Sequence, residues 1–234
     1  AFCVMGYDAV EYTPWVKRGA ANYWDEPADK TFTLQGHRAG AKYLATGLLE
    51  QSFDITYAYK PLHDQLGHAF SNGLLYLDWD RRGFDYPVVP ITVNCFGRQL
   101  ILRKGHLANM AEPPGEDDFD PPSPSPSRCF ELGAACFRTL SESPWRVALI
   151  ASSSWSHAFL CEKYHFLWPD HDADRELYQA LMAGDYDVWK NRSLAAVEDS
   201  GQHELLNWFC LIGAMAELDR RPDPAAYIES SVMN

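Results

Sequence analysis

Arg146-Val147-Ala148-Leu149-Ile150-Ala151-Ser152-Ser153-Ser154-Trp155-Ser156-His157 is the stretch on which the reading of the fold turns. A short apolar run, partly β-branched, leads into small hydroxylic residues and then a histidine. The run predicts a short central strand over 146–151 that opens into a loop. In open α/β sheets ligands bind beyond the carboxyl ends of the strands, so His157 stands where proton-handling groups commonly stand. An imidazole titrates near neutrality and can pass protons. The bland alternative is a loop histidine satisfied by a backbone carbonyl. No G-x-S-x-G elbow surrounds the serines, which argues against a hydrolase nucleophile.

Outward from this point, β-rich runs alternate with helical periodicity. Ala41, Leu44, Leu48 and Leu49 predict a helix over 39–51, and Phe53 to Tyr59 alternates like a strand. Tyr86 to Phe96 is β-branched and predicts a buried strand, its prolines placing the start at an edge and Gly97 ending it. Further helices are predicted over 128–140, 172–189 and 203–218. Residues 111–127 are acidic and then Pro/Ser-rich, and predict an exposed loop without helix or ladder bonds. The alternation predicts an α/β fold, a layered sheet flanked by helices, with residues 1–234 forming a single domain.

The 234 residues carry 20 Lys+Arg against 32 Asp+Glu, a net charge of −12. That balance disfavours nucleic acid, whose binding draws on Lys and Arg at the phosphates. With 47% apolar residues the chain is not of a disordered or fibrous class. At this length ~70% of the unfolded surface can be buried, so the core needs no disulfides. The longest nearly apolar run, Leu205 to Ala216, is too short to span a bilayer. The six cysteines form no C-x-x-C pair and mostly sit in apolar segments, which predicts buried free thiols and a cytoplasmic address.

Two further positions are candidates for chemistry. Glu204 heads the apolar run of Leu205, Leu206, Trp208, Phe209, Leu211 and Ile212. The helix macrodipole explains a carboxylate there, and so does a cation or metal offsetting its burial. His68 follows Gly67 and precedes an apolar run, with His63 and Asp64 as competitors. Their spacing is not that of a metal site. His37, His106, His165, His171 and His203 read as solvated. Arg98, Arg103 and Arg128 are candidates to steer a carboxylated ring, and Tyr23-Trp24 reads as exposed aromatic surface suited to a homo- or hetero-oligomer.

Gly67-His68-Ala69-Phe70, the Pro-Val-Val-Pro-Ile run from Pro87, Ser154-Trp155-Ser156-His157 and Glu204-Leu205-Leu206-Asn207-Trp208 together resemble the class III extradiol ring-cleavage dioxygenases, of the protocatechuate 4,5-dioxygenase catalytic-subunit type. The similarity runs from about Ala39 to Leu218, and the His157 and Glu204 blocks are its most specific part. The resemblance implies a non-haem Fe(II) held by two His and one Glu. It makes Glu204 the carboxylate ligand, His157 the acid/base beside the substrate and His68 a histidine near the oxygen site. Partners would be a small aromatic diol or aminophenol and O2, with neither nucleic acid nor membrane. The two iron-binding histidines of the family lie upstream of the matched blocks, so the chain is expected to be a fragment of a longer polypeptide. Two rivals stand beside this reading. One is a non-catalytic homologous subunit or binding module without its own metal site; the other, ranked last, is a zinc hydrolase, for which three ligands at recognisable spacing are missing.

Overall fold

The structure, a computed structural model, describes residues 1–13, 24–27, 29–60, 66–98, 100, 115–224 and 226–231. Tyr23, His63, Asp64, Arg103, His106 and residues 111–114 of the Pro/Ser-rich stretch lie outside that set. The chain forms two compact units, one over Phe2–Thr92 and the other over Val93–Asn234 together with Ala1.

In the first unit β1 (Phe2–Met5) pairs in parallel with β4 (Thr56–Ala58), Val4 opposite Tyr57, and β5 (Ile91–Val93) lies on the other side of β1. Parallel neighbours need a crossover. It includes α1 (Arg38–Glu50), whose Ala41, Leu44, Ala45 and Leu48 recur at helical spacing and are buried. The His37 side chain caps α1 by accepting from the Gly40 N–H at 2.7 Å, so this histidine has a structural task rather than a solvated one. An antiparallel pair, β2 (Ala9–Tyr12) and β3 (Phe32–Gln35), closes over a small core with Tyr7, Leu66, Leu74 and Leu75. Helix α2 (His68–Leu77) supplies the last two. Trp24 is half-buried here, edge-on to Tyr76 at 4.5 Å and beneath the Arg81 guanidinium, which corrects its reading as exposed surface.

The second unit is helical. Helix α3 (Pro126–Ser141) starts inside the predicted loop, because Ser125 caps the Arg128 N–H at 3.2 Å and Pro126 takes a first-turn position where its missing N–H costs nothing. The stretch is not wholly exposed either, since Ser123 and Pro126 are buried. The predicted helix over 172–189 is two helices, α4 (His171–Ala183) and α5 (Tyr186–Lys190), divided where Gly184 takes a φ of +70°. After α6 (Leu194–Asp199) and a 3-10 turn (His203–Leu205) comes α7 (Leu206–Glu217). It packs along α3 so closely that a Cβ on Gly133 would stand 1.6 Å from the Cys210 carbonyl oxygen and one on Gly213 would stand 1.9 Å from that of Phe130. In this unit Leu132, Leu177, Trp189, Val197, Leu205, Leu206 and Phe209 are almost completely buried.

Helices and small sheets together are compatible with an α/β class. The strand predicted over 146–151 does not form. Val147 and Ile150 are about half exposed, and the Ala151 and Ser152 carbonyls accept from the Trp208 indole and the Asn207 amide instead of a neighbouring strand. All six cysteines are free thiols, three of them buried. Among the described residues no helix is long and apolar enough to cross a membrane.

Candidate functional site

Two loops of the second unit meet at the head of α7. The first, 151–157, is extended and is drawn onto α7 by Trp208 and Asn207. The second, 200–204, turns sharply at Gly201, where φ is +65°. The His157 N–H donates to the Gly201 carbonyl at 3.0 Å. A Cβ at Gly201 would lie 2.7 Å from the His157 oxygen and 2.9 Å from the Cys161 nitrogen, so both the backbone turn and the close approach require glycine.

This docking brings His157 and Glu204 together. Ser154 Oγ lies 2.9 Å from His157 Nε2 and donates to Glu204 Oε2 at 3.1 Å, while Nε2 and Oε2 are 3.4 Å apart. His157 is mostly covered, its side chain 13% exposed, and Glu204 opens to solvent at 42%. The carboxylate only accepts, whereas serine has one hydrogen to give. Either Ser154 donates to Glu204 and Nε2–H donates to Oγ, or Ser154 donates to the Nε2 lone pair. The two states differ only in where hydrogens sit, which is what a proton-passing group requires. It is not the arrangement of a serine hydrolase, in which the acid supports the far nitrogen of the ring rather than the serine. His157 Nδ1 is buried and bonded to nothing among the described groups. The ring leans on Phe159 with centroids 4.9 Å apart.

Beside this trio stands His203, which was read as solvated. It is largely buried, and desolvation, reinforced by the nearby His157 and opposed by Glu204, lowers its pKa to about 4. It is therefore neutral at pH 7. Glu198 approaches from α6, its carboxyl pushed up by burial against the Arg98 N–H and charge. The only sequence cue to His203 was its adjacency to Glu204 on one turn.

A buried layer lies beneath. Asp174, in the first turn of α4 and 1% exposed, accepts from Ser156 N–H at 3.1 and 3.2 Å, from Ser156 Oγ at 2.6 Å and from Gln202 Nε2 at 2.7 Å. Burial raises its pKa against those bonds. Ser156 and Gln202 are themselves fully buried. Trp155 packs edge-on against Trp208 and Tyr227 at 5.0 and 5.4 Å.

His68 is elsewhere in the chain's organisation. It opens α2 in the first unit, exposed, with its carbonyl accepting from Ser71. Arg128 pairs with Glu131 at 3.3 Å on α3, and Arg98 offers its backbone N–H to Glu198.

An Fe(II) facial triad takes two imidazoles and one carboxylate. Among the described residues no group of three His, Cys, Asp or Glu stands close enough to hold a metal ion. These residues supply Glu204 as one donor and do not complete the set.

No curated protein matches the chain. Residues 120–228, the stretch that holds Ser154, His157, Asp174 and Glu204, match the family model of the catalytic LigB subunit of aromatic ring-opening dioxygenase, so this part of the chain is similar to those subunits, as its Ser154–His157 and Glu204–Trp208 motifs suggested.

Proposed function

We propose that the chain is an extradiol ring-cleaving dioxygenase, acting on a catechol or aminophenol with O2 in the cytoplasm as part of a homo- or hetero-oligomer. The whole of residues 1–234 would serve as one catalytic domain, class III extradiol dioxygenase-like, and His68 would stand near the oxygen site. The observation that carries the reading is the Ser154–His157–Glu204 trio inside the stretch similar to ring-opening dioxygenase subunits. Bound iron would supply the chemistry of O2 and ring chelation, with Glu204 as its carboxylate donor. The described residues leave its donor set incomplete.

The chain's own residues handle the protons. In the state where Ser154 donates to the Nε2 lone pair, a ring hydroxyl lying against the carboxylate can take the serine's place and present its proton to Nε2. Taking that proton makes an imidazolium 3.4 Å from Glu204 Oε2 and beside the Ser154 hydroxyl. The same proton is available for return once the ring is opened. The partly covered setting keeps the exchange local, and Phe159 fixes the plane of the ring.

The test is O2 uptake and semialdehyde absorbance with catechol and with 2-aminophenol, on protein supplied with Fe(II). Wild type should turn over. His157→Ala should keep its iron and lose about 10² to 10⁴-fold in kcat, the range of general acid-base help. Glu204→Ala should lose retained iron. Full turnover by iron-replete His157→Ala removes the proposed role. Failure of the wild type on every vicinal diol, with no iron retained, leaves the non-catalytic subunit as the reading.

A further inference from the structure

We infer that Asp174 is a positioning residue for this site: its single buried carboxylate ties the loop that carries His157 to the loop that carries Glu204. The inference rests on the proposed function for its catalytic consequence, and on geometry alone for the tie.

Ser156 lies 18 residues before Asp174 and Gln202 lies 28 after it, yet both loops terminate on the same carboxylate. Oδ2 takes the Ser156 hydroxyl and Oδ1 takes the Gln202 amide, with the Ser156 N–H between them. Ser156 immediately precedes His157. Gln202 accepts from the Leu205 N–H at 3.0 Å and so anchors the 3-10 turn on which Glu204 rides. Pulling both anchors onto one rigid group sets the distance between the imidazole and the acid, which Ser154 then spans.

The burial makes this more than an ordinary helix-start acid. An Asp in a first helical turn is expected to face water and the helix dipole. Asp174 instead is 1% exposed, and its partners Ser156 and Gln202 are 0% exposed, so all of its hydrogen bonds are made inside the protein. Burying a carboxylate costs free energy unless every such bond is made. That cost is borne at a point which touches neither α3 nor the apolar centre of α7 through hydrogen bonds, and whose bonded partners are both neighbours of site residues. Outer groups that orient reacting ones are typically worth 10 to 100-fold in activity.

The experiment compares Asp174→Ala with Asp174→Asn and with Arg192→Met, the last disturbing the 3.0 Å ion pair of Arg192 with Glu176, which shares a helix with Asp174 and is made by neither site loop. At a temperature where all three are folded by circular dichroism, Asp174→Ala should lose about 10 to 100-fold in kcat on catechol with KM little changed. Asp174→Asn keeps an oxygen for Ser156 N–H and Gln202, and should recover most of that loss. Arg192→Met should keep wild-type kcat. Independently of activity, the Ser156 and His157 amides should lose hydrogen-exchange protection in Asp174→Ala beyond the change in global stability. If Asp174→Ala does not fold, Gln202→Leu and Ser156→Ala each remove one arm and should each lower kcat about tenfold. Wild-type kcat in the Asp174 or arm variants, or unchanged protection of both amides, overturns the inference. A wild type that opens no diol sinks the functional reading instead, and the exchange data then decide the tie alone.

Discussion

The α3–α7 crossing and the pair of loops at the head of α7 hold the same unit together by opposite means. At the crossing, backbone lies on backbone because Gly133 and Gly213 have no side chains, and nearly every neighbour is apolar. At the loops, Asp174, Ser156 and Gln202 are just as deeply covered, but what joins them is a set of directional bonds. Apolar contact tolerates sliding and penalises added volume. A buried polar network tolerates neither a lost partner nor a changed angle, so it fixes positions more sharply.

The comparison can be broken most violently at the crossing. Gly133→Leu should cost more than about 3 kcal/mol, since a backbone oxygen cannot yield to the new side chain. In a chain of this size that lowers Tm by on the order of 10 °C, as thermal unfolding would show. At the loops, Gly201→Ala should cost about 1 to 3 kcal/mol from its left-handed backbone and the His157 contact. Its ring-opening rate should fall further than that stability loss accounts for. Equal residual activity in the folded fractions of both variants would erase the distinction between the two regions.

A smaller effect sharpens it. Asp170 is fully buried, caps Ala173 N–H and is paired with Lys163, whose side chain is one-third exposed. Burial opposes ionisation there, but Lys163, Ser200 and the capped N–H together hold the carboxyl below its ordinary value. A depressed folded pKa contributes stability that is present above the unfolded value of about 3.9 and fades as pH falls through the lower folded value. Lys163→Met should cost about 1 kcal/mol at pH 7, toward the lower end for an orphaned buried acceptor because the ammonium is partly screened. It should also flatten the acid limb, which urea midpoints at pH 7 and below pH 4 would reveal.

What the sequence disclosed follows the same division. The helix at 128–140 was legible because Leu132 and Cys136 mark a face that repeats every turn, and α1 was legible for the same reason. The pairing of His157 with Glu204 was legible only through motifs. The strand at 146–151 was misread because an apolar β-branched run signals extended backbone without saying what donates to its carbonyls, and at its end α7 side chains do. Asp174 left no trace at all, since an acid in a first helical turn has an ordinary explanation until its burial is seen. His203 was invisible for a related cause: its neighbour Glu204 drew the reading, and desolvation is a property of the fold rather than of the local string.

The glycine contacts along α3 also act as a ruler. Because α7 follows directly from the turn carrying Glu204, its axial seat on α3 sets the height of that acid. A slip by one residue would translate the helix by about 1.5 Å and swing it by roughly 100°, taking the carboxylate out of reach of Ser154. Two missing methyl groups, deep in an apolar seam, thus calibrate a proton path that they never touch.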